Sequence, residues 1–125
     1  MQPLVKSLAA SASAAVLIGA LGAAAPALGA SHALSGLAAA GKQHATDRKQ
    51  GNCLACHSMG DGQSPGNIGP PLIAMQARFP DKAKLRQQVY DATIANPDSQ
   101  MPPFGRHGIL TDAQIDAIVE YLYTL

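Results

Sequence analysis

The sequence has no tryptophan, and its only aromatics are Phe79, Tyr90, Phe104, Tyr121 and Tyr123. A chain of 125 residues with so few large rings has room for one domain and a modest core. It has no basic excess: nine Lys and Arg stand against eight Asp and Glu. One of the nine, Lys6, falls in the leader described below, so the remainder balances. A neutral chain gives no argument for nucleic-acid binding. Two cysteines are too few for the disulfide framework that staples many small exported domains. No stretch makes a convincing strand, and after the leader there are no internal repeats or low-complexity segments. The expectation is an all-α domain with long loops.

The first thirty residues are set apart. Met1 to Lys6 is a short segment with one positive charge, and Leu8 to Ala25 is an uncharged run of Ala, Leu, Val, Ile, Ser and Gly. Ala25-Pro26-Ala27 and Ser31-His32-Ala33 both fit a small-x-small cleavage pattern. This is the layout of a secretory signal peptide over residues 1–30, cut between Ala27 and Ala33. A membrane anchor is the competing reading, because the run is nearly the roughly 20 residues a spanning helix needs. Its Ala and Gly content favours cleavage, which would leave residues 34–125 as the domain, in the periplasm and free of the membrane.

Inside that domain stands Cys53-Leu54-Ala55-Cys56-His57. Two thiols three positions apart, followed at once by histidine, form the attachment pattern for a c-type haem. Residues three apart share a face of a helical turn. Both thiols can therefore reach the two vinyl groups on one edge of a porphyrin, with His57 beneath the iron. A Cys-x-x-Cys disulfide of a thiol-disulfide oxidoreductase is the alternative, but it calls for strands and a βαβ pattern. A zinc site would need four ligands, and His32, His44 and His107 have no such spacing.

The rest of the domain falls into three helical segments and two loops. Leu34 to Lys49 is Ala-rich and is expected to be helical from about Leu37 into the haem motif. Gly41 and Ala45 share a face there; either they admit a second helix closely, or Gly41 merely weakens an exposed helix. Met59 to Pro71 is a Gly/Pro-rich loop, followed by a short apolar stretch, Leu72 to Phe79. Pro80 and Asp81 open a helix with Leu85, Val89 and Ala92 or Thr93 inward, ending at Asn96-Pro97. Pro97 to Gly108 is the second Pro/Gly loop. Thr111 and Gln114 fit a capping box, and Ile115, Ile118, Val119 and Leu122 form the stripe of the last helix.

A haem iron held by His57 has a sixth position. Met59, Met75, Met101, His44 and His107 are the candidates. Met59 is too close to His57 in sequence to reach the opposite face, Met75 suits a core position, and His44 suits an exposed helical one. Met101, stiffened by Pro102-Pro103 and distant from His57, is the expected ligand, and a thioether there raises the reduction potential. The non-ligating N–H of His57 should meet a loop carbonyl near Gly69 to Pro71.

These features together resemble class I cytochromes c. In that family the first and last helices cross beside the haem and a proline carbonyl accepts from the ligand histidine, which implies Pro70. GNCLACH (51–57), PGNIGPPL (65–72), RFPD (78–81) and MPPFGRHGIL (101–110) more narrowly resemble the SoxX family. SoxX proteins are monohaem subunits of SoxAX complexes in periplasmic sulfur oxidation. The resemblance implies one covalent haem c and a SoxA-type cytochrome partner. It also implies electron transfer while thiosulfate is joined to a cysteine of the SoxYZ carrier, with the catalytic haem on SoxA and a downstream electron acceptor. A free-standing periplasmic cytochrome serving an oxidase or dehydrogenase is the alternative. Phe104 is either a docking anchor or an internal residue packed on haem. Arg106 and His107 either contact propionates or the partner.

A domain this small often needs a staple, and a covalent macrocycle is one. The chain produced without haem attachment is expected to be largely unfolded by circular dichroism. A cooperative helical melt of the haem-free chain would overturn this.

Overall fold

The computed structural model describes residues 34–125; the proposed leader and His32 lie outside the described residues. Four α-helices follow in order: α1 (Gly36–Thr46), α2 (Met75–Arg78), α3 (Lys82–Tyr90) and α4 (Asp112–Leu122). Short 3-10 turns span Cys53–Ala55 and Ala92–Ile94. Among the described residues the only β pairing is an isolated bridge between Met59 and Leu72. The domain is all-α with long loops, as expected.

The first and last helices carry the architecture. Thr111 opens α4 with a reciprocal capping box: its Oγ1 accepts from Gln114 N at 3.3 Å, and Gln114 Oε1 accepts from Thr111 N at 2.9 Å. The stripe of Ile115, Ile118, Val119 and Leu122 is buried, joined by Ala117 and Tyr121. On α1 the buried face is Ala38, Gly41 and Ala45. A Cβ built on Gly41 would lie 1.9 Å from the Ala117 carbonyl oxygen. The two backbones therefore touch at this crossing, and of the two readings of Gly41 the close approach is the one that holds. α3 packs on α4 through Leu85 and Val89. Around that contact run exposed ion pairs, Lys82–Glu120 at 2.8 Å and Arg86 to Asp112 and Asp116, both at 2.6 Å. Exposed pairs contribute up to about 1 kcal/mol each. Burying Leu85, Ile115 and Ile118 contributes roughly 1.5–3 kcal/mol apiece and is the larger effect.

Two helix ends differ from the sequence expectation. α1 stops at Thr46 and does not run into the haem motif. Asp47 turns extended (φ −66°, ψ 121°), and its carboxylate accepts from Lys49 N at 2.8 Å and Gln50 Nε2 at 2.7 Å. These local bonds compete with helix continuation, and Asn52 then takes a left-handed conformation (φ 47°) before Cys53. α3 stops at Tyr90 rather than Asn96 for a similar reason. Asp91 adopts φ −157°, and its Oδ1 accepts from Thr93 N at 3.0 Å.

The C-terminus is tied down as well. Met75 N–H donates to Leu125 O at 3.1 Å, Gln76 Nε2 donates to Tyr123 O at 2.8 Å, and the Tyr123 hydroxyl donates to Phe79 O. Together they bind α2 to the end of the chain.

Two alanine substitutions in α1 should act in opposite directions. Gly36 has no atom within 4 Å of an added Cβ, so Gly36→Ala is expected to be neutral or to stabilise by up to about 1 kcal/mol. Gly41→Ala is expected to destabilise by about 1–3 kcal/mol, the cost of overpacking against backbone. Denaturant unfolding of the haem-loaded protein checks both.

Candidate haem site

The Cys-x-x-Cys-His segment is built on the first 3-10 turn. Cys56 N–H and His57 N–H both donate to Cys53 O, at 3.2 and 2.9 Å, and in 3-10 geometry residues i and i+3 eclipse. Both cysteines are half-buried on that turn and carry free thiols. The approach to the turn is braced from both helices: His44 Nδ1 lies 2.6 Å from Gln50 Oε1, which also accepts from Gln114 Nε2 of α4 at 3.0 Å. His44 is thus half-buried and engaged rather than freely exposed.

The Gly/Pro loop folds back over the turn. Gly66 N–H donates to Leu54 O at 2.8 Å, Gly69 N–H to Cys56 O at 2.9 Å, and Leu72 N–H to Ser58 O at 2.8 Å. His57 is held from the side by this loop. A Cβ on Gly69 would sit 2.2 Å from His57 Cε1, so the ring rests directly on the glycine. His57 Nδ1 lies 2.7 Å from Pro70 O. A proline carbonyl can only accept, so Nδ1 is the donor and the tautomer is fixed. That leaves the Nε2 lone pair free to bind a metal. Sequence reasoning missed the support behind this contact: Arg78 Nη1 donates to Pro71 O at 2.7 Å, pinning the next carbonyl of the loop. The RFPD resemblance includes Arg78, but no local pattern tells which carbonyl its guanidinium takes.

The three methionines of the described region separate by burial. Met59 (2% exposed) and Met75 (1%) belong to the core. Met101 is half-buried at the core's edge, with its N–H on Ser99 Oγ at 3.2 Å. Phe104 is 7% exposed and packed in the core, which removes it as an exposed docking anchor. Arg106 Nη1 pairs with Asp91 Oδ2 at 3.0 Å, a partner no sequence pattern indicated. His107 is exposed, its N–H donating to Pro103 O at 3.0 Å.

The chemistry of the thiols bears on their use. Burial pushes the Cys53 thiol up to about 11. A disulfide oxidoreductase needs a thiol whose pKa is lowered, so the environment disfavours that reading. Among the described residues no three His, Cys, Asp or Glu side chains converge as a metal cluster. The residues of the turn suit a covalent haem instead: two thiols on one turn and one imidazole with a free nitrogen.

A helical fold around a Cys-x-x-Cys-His turn, its imidazole fixed by a proline carbonyl, defines a class I cytochrome c, an electron-transfer protein carrying covalent haem c. Known proteins agree. The sequence profile of the family described as "Cytochrome C oxidase, cbb3-type, subunit III" matches residues 36–122, and the chain belongs to this family. Within the cytochromes the chain is SoxX-like: it is 31% identical to a chain of the crystal structure of SoxXA from P. pantotrophus. The two superpose with a TM-score of 0.62, over 69% of this chain and 79% of that one. An uncharacterised lipoprotein of Aquifex aeolicus (strain VF5) is 40% identical over 77 residues, 60% of this chain. The chain spans 37% of the length of that curated relative.

Gly69→Ala is expected to tilt the His57 ring and lengthen its contact with Pro70 O. Resonance Raman and the reduction potential of the haem-loaded protein should both shift relative to wild type while the two thioether attachments persist.

Proposed function

We propose that this protein is the electron-accepting small subunit of a SoxAX-type complex. In this reading residues 1–30 direct export to the periplasm and are removed, and no membrane attachment remains. Among the described residues no helix is long and apolar enough to cross a membrane. The observation that carries the proposal is the likeness to SoxXA, at 31% identity over 79% of that chain.

Cys53 and Cys56 would hold one haem c through thioethers, and His57 and Met101 would supply the side-chain ligands to its iron. Bound there, haem c supplies a one-electron iron couple. The residues of this chain do the rest. Pro70 O accepts from His57 Nδ1 and holds the imidazole in one plane. The Met101 thioether raises the potential relative to a second histidine. With His57 and Met101 both committed to the iron, the site would serve to relay electrons. By the SoxX resemblance, a SoxA-type partner carries the catalytic haem at which thiosulfate is joined to the cysteine of SoxYZ. Two electrons leave as that sulfur–sulfur bond forms, and this subunit passes them to a downstream acceptor. It is therefore the electron-transfer part of an L-cysteine S-thiosulfotransferase, with no bond-forming residue of its own. The family description, a subunit of a cbb3-type oxidase, favours a second reading in which the chain delivers electrons to an oxidase without a SoxA partner.

Co-expression with a haem-maturation system separates the two. A haem-loaded chain that co-purifies with a SoxA-type cytochrome and supports thiosulfate-dependent turnover sustains the first; one that binds no such partner favours the second. Met101→Ala is expected to lose the near-infrared sulfur-to-iron band and to bind exogenous ligands. An unchanged spectrum would exclude Met101 as ligand.

A further inference from the structure

Asp91 is the one charged side chain buried among the described residues, at 3% exposure. Its two oxygens have different partners. Oδ1 accepts from the N–H and the hydroxyl of Thr93, at 3.0 and 2.5 Å, and so caps the turn after α3. Oδ2 reaches across to Arg106 Nη1 at 3.0 Å. Arg106 also donates to Thr93 Oγ1 at 3.3 Å.

Asp91 and Arg106 stand at the two ends of the segment that carries Met101. The backbone closes at the same place: Gly105 N–H donates to Tyr90 O at 2.9 Å. A Cβ on Gly105 would lie 2.0 Å from Tyr90 Cδ2, so the loop rests flat on the tyrosine ring. Beyond this neck the chain is folded on itself, with Ile109 N–H and Leu110 N–H both donating to Phe104 O, at 2.9 and 3.1 Å. Between neck and tip the support is thinner. Met101 N–H is held by Ser99 Oγ, and Pro102 is exposed.

We propose that the Asp91–Arg106 ion pair is a latch that closes the neck of this loop and thereby positions Met101 at the haem. The proposal rests on Met101 being the sixth ligand. A thioether is a weak, neutral ligand, so the closed loop must hold it in place. Removing Arg106 leaves Oδ2 of a buried carboxylate without its cation, a costly state that the loop can relieve by opening to water. The hydrogen bonds from Thr93, with the Arg106 charge adding to them, hold the Asp91 carboxyl below its ordinary range, so the carboxylate is charged where the latch must work. Because Oδ1 serves the cap and Oδ2 the ion pair, a change at Arg106 removes the latch and the bond to Thr93 Oγ1 but leaves the Asp91 cap on Thr93 N in place.

The test uses the haem-loaded full chain. Arg106→Leu, Arg106→Lys, Asp91→Asn and Met101→Ala are compared with wild type by the near-infrared sulfur-to-iron band, imidazole affinity of the ferric form, and circular dichroism. Arg106 is 52% exposed at its side chain, so Arg106→Leu is expected to keep its helical content. It should weaken the band and bind imidazole about tenfold more tightly, as a larger open population requires. Arg106→Lys, which keeps the charge, should recover much of the wild-type behaviour. Asp91→Asn should open the loop as Arg106→Leu does; if it also melts the fold, the Arg106 pair alone decides. If Met101→Ala loses the band while Arg106→Leu keeps wild-type band and affinity, the latch is wrong and the ligand assignment stands. If Met101→Ala leaves the band intact, the ligand assignment itself fails.

Discussion

The site depends on three backbone hydrogen bonds by which the Gly66-to-Leu72 loop lies down on the Cys53-to-Ser58 turn. N–H groups of Gly66, Gly69 and Leu72 meet the carbonyls of Leu54, Cys56 and Ser58. Each would otherwise be an unpaired group on a short turn that has no regular ladder of its own. Together they set the register between two segments that are separate in sequence. Register is what brings Pro70 O to His57 Nδ1 and Gly69 beneath the ring. A slip of one residue would put a different carbonyl there and a side chain where the imidazole now lies.

That arrangement needs a firm base, and the crossing of α1 with α4 supplies it. The contact is backbone to backbone at Gly41 and Ala117, closer than larger side chains allow. The Gln50–Gln114 bond then carries the position of α4 to the residues leading into Cys53. The core is small, and its large fully buried side chains are Met75, Leu85, Ile115 and Ile118. It holds helices together but encloses little, consistent with a domain completed by a covalent apolar cofactor.

The loop that carries Met101 is organised by different physics. Its tip is stiffened by Pro102 and Pro103, whose fixed φ reduces the conformations to be lost on folding. Its base is closed by polar groups, the Tyr90 carbonyl and the Asp91 carboxylate. Electron transfer benefits from a ligand set that changes little between charge states, and both sides of the proposed site are framed by restrained loops rather than by long helices.

Local chemistry was legible in the residues. Cys53, Cys56 and His57 are adjacent, so their shared turn needs no tertiary information. The capping box at Thr111 and Gln114 and the apolar stripe to Leu122 lie within a few turns of one another, and the structure repeats them. Helix ends were less legible. The α1 and α3 boundaries hinge on aspartates, Asp47 and Asp91, whose side chains pair with backbone N–H groups instead of permitting another turn, and propensity alone does not rank those options. Whether Phe104 faced outward or inward was open in the sequence, since an aromatic beside Pro and Gly suits both positions; burial in the core places it inward. Partners distant along the chain were not legible at all: Gly41 with Ala117, Arg78 with Pro71, Arg106 with Asp91. Which groups meet across such separations depends on loop register and helix crossing, and those exist only once the chain has folded.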